Sequence, residues 1–176
     1  MSIVVVAYNP LWPNLFAKEE QQLQHALGER MLALHHIGST AVPGLAAKPV
    51  IDMILVATSL TALDAASAQF NALGYEAKGE NGIAGRRYYR KGGAHRTHHL
   101  HAFAAGDSHI TRHLAFRDYL IAYPEVCRAY QTLKTQLAAA HCHDRAAYCQ
   151  GKDSFIALHE QRALTWQNHQ AEGHKP

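Results

Sequence analysis

The sequence predicts an α/β fold, in which a mixed sheet of about four to six strands is flanked by helices and followed by a helical C-terminal section. Strand-like and helix-like segments alternate early in the chain, and helical patterns alone fill its end. The chain has 176 residues, of which 48% are hydrophobic, and this is enough for one well-buried core. We therefore expect a single domain over residues 1–176.

The first predicted elements are a helix and two strands. The segment YNPLWPNLFAKEEQQLQHALGER begins with two prolines and then spaces its apolar residues as a helix does, with Gly28 as the stop. MLALHHI is predicted to be a strand. PVIDMILVA is predicted to be a second, buried strand because it is apolar on both faces. The turn-rich segment GSTAVPGLAAK joins the two strands.

A further helix and a hairpin are predicted next. TSLTALDAASAQFNALG has the pattern of one helix, capped by Thr58 or Ser59 and ended by Gly74. AGRRYYRKGGAHRTHHLHAFAA contains two alternating runs separated by Gly92 and Gly93, which is typical of a β-hairpin.

Three helices are predicted after the hairpin. Asp107 or Ser108 can cap HITRHLAFRDYLIAY, and Pro124 suits the first turn of PEVCRAYQTLKTQLAAAH. The last helix is DRAAYCQGKDSFIALHEQRALTWQNH, with Gly151 as a weak point in its interior. The tail HQAEGHKP is expected to fray.

The composition of the chain and the motifs that it lacks exclude several classes of protein. No run of about 18 apolar residues and no signal-peptide pattern is present, so we expect a cytoplasmic chain without membrane contact. Three cysteines without CxxC spacing indicate reduced thiols. The absence of GxxxxGK[ST], GxGxxG and GxSxG disfavours P-loop kinases, Rossmann oxidoreductases and α/β-hydrolases. A net charge of +3 and the lack of zinc-finger or RNP patterns favour a small anion over nucleic acid as partner.

Asp52 is the leading candidate for a functional residue. It lies in a strand that is otherwise built to be buried, and a buried carboxylate needs a cation, a metal or several hydrogen-bond donors beside it. Just before it, Gly38 and Ser39 end a strand with a flexible backbone and a hydroxyl that can meet phosphate oxygens. The structural alternatives are that Asp52 ties Lys48, a histidine or a loop amide in place, and that Ser39 caps a turn.

Histidines could supply further ligands. In a continuous strand, His99 and His101 share one face, and with Asp52 they could bind a divalent metal. The alternative is that these histidines bind turn segments and ligand by hydrogen bonds alone.

Basic residues could bind phosphate. In GRRYYRKGG, Arg86 and Arg90 share one strand face with Tyr88, and Arg87 lies on the other face. A solvated hairpin edge protected by charge is the alternative. The predicted phosphate- or nucleotide-binding residues are Gly38, Ser39, Thr40, Lys48, Arg86, Arg87, Arg90 and Lys152.

Several motifs together resemble the GrpB family. They are Tyr8-Asn9-Pro10, Trp12-Pro13, HIGSTAVPGLAAKPVIDMILV, HHLHAF, FRDYLIAYPE and the late Y…GKDSFI, and they extend from about Val5 to about Ala163. The resemblance implies a nucleotidyltransferase-like fold. Related domains occur fused behind dephospho-CoA kinase, which connects the family with nucleotide or coenzyme metabolism.

The resemblance also implies a site. In the nucleotidyltransferase superfamily, a Gly-Ser turn precedes a strand that carries an Asp-x-Asp pair. Gly38, Ser39 and Asp52 match this pattern, but Ile54 stands at the second acid. Paired carboxylates hold the divalent ions of such enzymes, so a single acid needs help from substrate phosphates or from other ligands.

We therefore expect a nucleotide-binding protein that transfers a nucleotidyl or phosphoryl group to a small molecule. Asp52, His99 and His101 are the expected catalytic and metal-binding residues, with Mg²⁺ or Mn²⁺ ahead of Zn²⁺. The alternatives are a ligand-binding module with a degenerate site and a histidine-based metal-dependent hydrolase. For the transferase and for the ligand-binding module, the expected ligand is a nucleotide or a coenzyme-like molecule.

Overall fold

The structure is a computed structural model that describes residues 3–172. Its centre is a five-stranded mixed sheet in the order β1-β2-β5-β4-β3, in which only β2 and β5 are parallel neighbours. The α/β prediction and the number of strands are thereby confirmed. The strands are β1 (Met31–Ile37), β2 (Ile51–Ala57), β3 (Tyr75–Ala77), β4 (Arg87–Lys91) and β5 (His98–Ala104).

Three helices precede β3 and three follow β5, so the predicted helical C-terminal section is also confirmed. Pro13 lies in the first turn of the first helix, where a missing N–H costs nothing, and Gly28 follows its last residue. The helices are α1 (Trp12–Leu27), α2 (Leu60–Asp64), α3 (Ser67–Ala72), α4 (Ser108–Ala122), α5 (Pro124–Ala140) and α6 (Arg145–Glu172).

One face of the sheet carries the main hydrophobic core. Side chains alternate along a strand, so Met53 and Leu55 of β2 lie on the same face as Leu100 of β5, and all three are fully buried. Helices α1 and α3 cover this face, with Leu23 and Phe70 among the packed side chains.

The opposite face of the sheet carries the candidate site residues of β2 and β5. Asp52 pairs in register with His99, and Ile54 pairs with His101, so these four side chains share the second face as predicted. Farther along, Ile54 packs with Ile37 and Phe103 beneath α4.

A third cluster joins the C-terminal helices to the loop between β1 and β2. Val42 and Leu45 of this loop are buried against Tyr119, Tyr130 and Ala163 of α4, α5 and α6. The loop is held further by Gln131, whose Oε1 accepts the backbone N–H of Ala46 at 3.0 Å. This packing brings α5 and α6 next to the Gly-Ser turn.

One local prediction was wrong, and one strand was not predicted. The segment after β2 forms two short helices, and only Ser59 caps, by accepting the backbone N–H of Ala62. The helix is interrupted at Ala65 and Ala66, and Leu63 and Phe70 on its two sides are both buried. Strand β3 was not predicted because three residues are too few to show alternation.

Gly151 is not a weak point of the last helix. Helix α6 runs through it without a break, and an added Cβ would lie 2.4 Å from Cδ2 of Leu137 on α5. The glycine therefore allows α5 and α6 to approach closely.

Among residues 3–172, no helix is both long and apolar enough to cross a membrane.

Candidate functional site

A cavity of about 610 Å³ opens between the second face of the sheet and helices α5 and α6. The turn after β1, the loop before β2, the loop before β5 and the first turns of α6 contribute to its walls. Its polar lining residues are Ser39, Thr40, Lys48, Asp52, His95, Arg96, His99, Tyr130, Lys134, Arg145, Tyr148, Cys149 and Lys152.

Gly38 brings the turn after β1 close to Asp52. Its backbone has φ 68° and ψ −169°, a conformation that is essentially restricted to glycine. A Cβ at this position would lie 3.0 Å from Oδ2 of Asp52, so the backbone passes directly beside the carboxylate. The residues Ser39–Ala41 then form a single 3₁₀ turn that places Ser39 on the cavity wall.

Asp52 and His99 form a hydrogen-bonded pair. Nδ1 of His99 lies 3.0 Å from Oδ1 of Asp52, and because a carboxylate only accepts, Nδ1 carries the hydrogen. Burial alone would raise the pKa of the Asp52 carboxyl, but the hydrogen bond and the charge of His99, followed by His101 and His36, lower it. Asp52 is therefore ionised at neutral pH, and about a third of its side chain is exposed (33%).

The cavity is strongly basic. Asp52 provides the one carboxylate among its lining residues, whereas five lining residues are lysine or arginine: Lys48, Arg96, Lys134, Arg145 and Lys152. Low-dielectric walls strengthen the field of such a cluster. The arrangement favours a ligand with several negative charges.

Lys134 is the most buried of these cations, with only 3% of its surface exposed. Its Nζ donates to Oγ of Ser39 at 2.8 Å and to the carbonyl oxygen of Ala46, and it lies 4.7 Å from the centre of the Tyr130 ring. Burial, followed by the charge of Lys152, lowers the pKa of Lys134 to about 7.

The other two lysines are also perturbed. Burial is the main reason that the pKa of Lys48 and that of Lys152 are lowered, and the charge of Arg145 acts in the same direction on both. Nζ of Lys152 lies 4.3 Å from the centre of the Tyr148 ring, one helical turn away on α6. Like charges thus face one another around the cavity.

Six of the predicted site residues line this cavity, and a seventh borders it. Thr40 lines it, but its Oγ1 lies 2.9 Å from Nε2 of His36 and is already engaged. Gly38 is adjacent through its contact with Asp52. The six lining residues are Ser39, Thr40, Lys48, Asp52, His99 and Lys152.

Arg86 and His101 are placed elsewhere. The buried Arg86 guanidinium donates to the carbonyl oxygens of Glu80 and Asn81, and its Nη1 lies 3.3 Å from Nδ1 of His101. Burial lowers the pKa of His101 to about 4. Neither residue lines the cavity, and Arg86 holds the turn before β4.

Arg87 and Arg90 have partners of their own. Arg87 forms a bidentate ion pair with Asp64 on the other side of the sheet, at 2.7 and 2.8 Å. Arg90 lies on the site's face, opposite His99 in register, and its Nη2 is 3.6 Å from Glu76. Neither is a lining residue of the cavity.

The trio of Asp52, His99 and His101 does not form a metal-binding cluster. Among the residues that the structure describes, no group of three or more His, Cys, Asp or Glu side chains is arranged to hold an ion. The reason is local, since His101 faces Arg86 whereas His99 faces Asp52. A metal at Asp52 would need oxygen ligands from a bound phosphate.

Of the α5 and α6 residues that line the cavity, only Lys152 was predicted from the sequence. Arg145, Tyr148, Cys149 and Lys152 recur at the i, i+3, i+4, i+7 spacing of one helix face, and all four line the cavity. Tyr130 and Lys134 are four residues apart on α5. The α6 spacing was visible in the sequence, but an approach of Lys134 to Ser39, 95 positions away, was not.

Comparison with known proteins agrees with this architecture. The chain is 46% identical to the UPF0157 protein YqkA of Bacillus subtilis over 93% of its length, and it spans 48% of that protein. It is similar to the crystal structure of the conserved protein GrpB from Enterococcus faecalis, with a TM-score of 0.90 and 44% identity, covering 93% of this chain and 99% of that one.

A more distant likeness concerns the fold alone. The structure of the GLD-2/RNP-8 complex matches with a TM-score of 0.56 and 14% identity, over 86% of this chain and 58% of the other. The fold is nucleotidyltransferase-like. The family model described as GrpB protein matches residues 2–162, and the chain therefore belongs to the GrpB family.

Proposed function

We propose that this chain binds a nucleotide or a coenzyme-like phosphorylated molecule in the basic cavity and transfers a nucleotidyl or phosphoryl group from it to a small acceptor. The observation that carries the proposal is the ionised Asp52 beside the Gly38-Ser39 turn, within a cavity that has five basic side chains. Phosphoryl and nucleotidyl transfer depend mainly on positioning and on charge stabilisation, and these groups can supply both.

Each part of the cavity would have a distinct task. The basic side chains neutralise the phosphates, and the Tyr148 ring offers an aromatic surface near them. Asp52, together with phosphate oxygens, would hold Mg²⁺ or Mn²⁺, hard cations that accept such oxygen ligands. When bound, the ion supplies charge neutralisation at the reacting phosphorus.

His99 is the histidine best suited to assist the reaction. It lines the cavity, and its hydrogen bond to Asp52 fixes the orientation of both side chains. The imidazole keeps the carboxylate aimed at the space beside Gly38. In this role His99 is a positioning residue for Asp52, and it differs from His101, which faces Arg86.

A binding panel and a product assay test the proposal. Nucleoside triphosphates and coenzyme A precursors are screened by thermal shift, each without metal and with Mg²⁺, Mn²⁺ or Zn²⁺. A ligand at about 100 times its Kd adds roughly 2.7 kcal/mol of stability, which corresponds to about 5 to 10 °C for a chain of this size.

Product formation is then measured by mass spectrometry with a mixture of small acceptors. We expect turnover that requires a divalent ion. The Asp52→Asn variant should still fold and bind the ligand but should form no product. Full activity of Asp52→Asn would overturn the transfer mechanism.

A non-catalytic binding module is a second candidate, and Ile54 favours it. The side chain that replaces the second acid is fully buried and packs with Ile37 and Phe103, so the sheet is built around an apolar residue there. This candidate predicts ligand-dependent stability without product under any metal condition.

A further inference from the structure

A group of basic side chains lines the more exposed part of the cavity wall. Lys48 lies in the loop before β2, Arg96 lies in the loop before β5, and Arg145 is the first residue of α6. Lys48 and Arg145 are exposed and Arg96 is half-buried, whereas Lys134 is buried. Three separate segments thus bring one cation each to the same part of the wall, and we call these three residues the outer cations.

The outer cations repel one another and have no counter-ion of their own. Burial lowers the pKa of Lys48, and the charges of Arg145 and Arg96 lower it further. The carboxylate of Asp52 acts in the opposite direction, but it is already engaged by His99. Among the described residues, no carboxylate oxygen lies within 4.0 Å of an outer cation. Like charges held together in this way are stabilised when an anion binds between them.

The backbone that presents Lys48 is fixed on both sides. Ala47 exchanges two backbone hydrogen bonds of 2.9 Å with Val6, and the carbonyl oxygen of Lys48 accepts the N–H of Val50 at 2.7 Å. Binding costs less conformational entropy when the backbone of a contacting residue is already ordered. Lys48 is therefore held ready at the wall before a ligand arrives.

The loop that presents Arg96 is held in shape by a glycine. Gly92 has a φ of 93°, and a Cβ there would lie 2.5 Å from the carbonyl oxygen of His95 and 2.9 Å from the backbone nitrogen of Thr97. The carbonyl oxygen of Thr97 in turn accepts the N–H of Ile51 at 2.9 Å. The tight loop thus keeps Arg96 beside the start of β2.

Arg145 is presented by the beginning of a long helix. Oδ1 of Asp144 accepts the backbone N–H of Ala147 at 3.0 Å and caps α6, which has 28 residues. The positive end of the helix dipole adds to the charge of Arg145. Guanidinium groups such as those of Arg96 and Arg145 have a fork of donors that matches carboxylate and phosphate oxygens.

The positive charge of the cavity exceeds what the phosphates of the proposed ligand require. A triphosphate with one divalent ion has a net charge of about −2. The lining has five basic side chains against one carboxylate, so an excess of positive charge remains when such a ligand is bound. A second anion, bound beside the first, would balance this excess.

We propose that Lys48, Arg96 and Arg145 bind an acidic group of the acceptor, so that the acceptor is a small molecule with a carboxylate or a phosphate. This deepens the proposed function, on which it rests, by naming the class of acceptor. The acidic group is an anchor and does not react. A hydroxyl elsewhere on the acceptor forms the new bond to phosphorus, its proton passes to water, and the bond from that phosphorus to the leaving phosphate oxygen breaks.

The test compares three molecules that share a three-carbon skeleton: glycerate, glycerol 3-phosphate and glycerol. Binding to the full chain is measured by isothermal titration calorimetry, without and with saturating tripolyphosphate and Mg²⁺. Tripolyphosphate is the phosphate chain of a nucleoside triphosphate and occupies the part of the cavity that the donor would fill. We expect glycerate or glycerol 3-phosphate to bind under both conditions, and the tighter of the two identifies the acidic group. Glycerol should not bind.

Three results would overturn the proposal. The first is that neither acid binds, and the second is that glycerol binds as tightly as the acids. The third is that tripolyphosphate displaces the acid, because the outer cations would then serve the phosphate chain of the donor.

Variants assign the subsite. Arg96→Gln and Arg145→Gln should each weaken binding of the acid on the order of tenfold, the typical effect of losing one charge-assisted contact. Arg96 is half-buried and Arg145 is exposed, so both variants should fold. Arg128→Gln, at an exposed position of α5 outside the cavity lining, is the matched control and should bind as wild type does. Wild-type affinity in both cavity variants would overturn the proposal.

The two proposals can fail separately. Binding of an acid at the outer cations, without stabilisation by any nucleotide or coenzyme A precursor, would support the subsite and refute the proposed donor class. Nucleotide-dependent product from glycerol but not from either acid would support the transfer and refute the subsite.

Discussion

Gly38 lies directly against Asp52: a Cβ on the glycine would be 3.0 Å from Oδ2 of the carboxylate. The end of β1 and the start of β2 are therefore joined at the site by a backbone-to-side-chain contact that only glycine permits. On its other side, Asp52 accepts the hydrogen bond of His99. The carboxylate is fixed from two directions, and its remaining exposed surface faces the cavity.

Gly38→Ala should destabilise the fold and displace Asp52. Its φ of 68° with ψ −169° costs a non-glycine residue about 1 to 3 kcal/mol, and the contact with Asp52 adds to that cost. Gly44→Ala is the matched control, since its φ is also positive (79°) but nothing lies within 4 Å of its Cβ position. Urea denaturation of both variants measures the difference. Equal losses in the two variants would show that the contact with Asp52 has no energetic role.

Strand alternation made the core of the site predictable. Asp52 stands out because it interrupts an apolar run, and period-two alternation is sufficient to place His99 and His101 on one face. Alternation predicts which face of the sheet a side chain is on, but not which neighbouring side chains it contacts at its position along the strand. For this reason His101 was expected in the same cluster as His99, whereas it lies beside Arg86.

The basic residues were harder to assign because their partners come from distant segments. Arg86 binds carbonyl groups of the nearby turn before β4, whereas Arg87 pairs with Asp64, 23 positions away at the end of α2. Lys134 reaches the site only because α5 packs on the loop between β1 and β2. No pattern within a single segment contains that information.

Gly151→Ala should disturb the site from a distance. The added methyl would lie 2.4 Å from Cδ2 of Leu137, so either the Leu137 side chain shifts or α5 and α6 separate, and separation would move Lys152 with the backbone of its neighbour. Overpacking of this kind costs about 1 to 3 kcal/mol. We expect a lower Tm together with weaker tripolyphosphate binding.

The double variant Gly151→Ala with Leu137→Ala tests the cause. Removing the clashing side chain should restore affinity, because the helices can approach again even if a cavity lowers the Tm. Failure to recover affinity would mean that Gly151 acts by some route other than its contact with Leu137.

Cys149 should report occupancy of the cavity. It lines the wall and is exposed, whereas Cys142 is exposed outside the lining, so the second thiol is an internal control. Saturating tripolyphosphate should slow alkylation of Cys149 by iodoacetamide on the order of tenfold, since thiol reactivity depends on access. Peptide mass spectrometry gives both rates. Equal slowing at Cys142, or none at Cys149, would place the anion elsewhere.

Lys134 should make stability depend on pH in the alkaline range. Its folded pKa of about 7 lies below the ordinary value of 10.5, so the unfolded chain binds this proton more tightly. Between these two pH values folding releases the proton, and the free energy of unfolding therefore rises with pH. Below about pH 7 both states are protonated, and the burial penalty of the ammonium is present in full.

Lys134→Met should remove this rise. The groups that face the ammonium are Ser39, the Ala46 carbonyl, Tyr130 and Lys152, with Cys127 acting from farther along α5. Burial raises the pKa of Tyr130 and lowers that of Lys152, but both residues are present in wild type and in the variant. The difference between the two pH profiles therefore reports the titration of Lys134. From pH 7 to 9.5, wild type should gain about 1 to 3 kcal/mol relative to the variant. Urea denaturation at several pH values measures this gain, with Lys18→Met, at an exposed position of α1, as control. Parallel pH profiles for wild type and Lys134→Met would show that Lys134 is charged in the free protein at pH 9, and that its burial does not disfavour the proton.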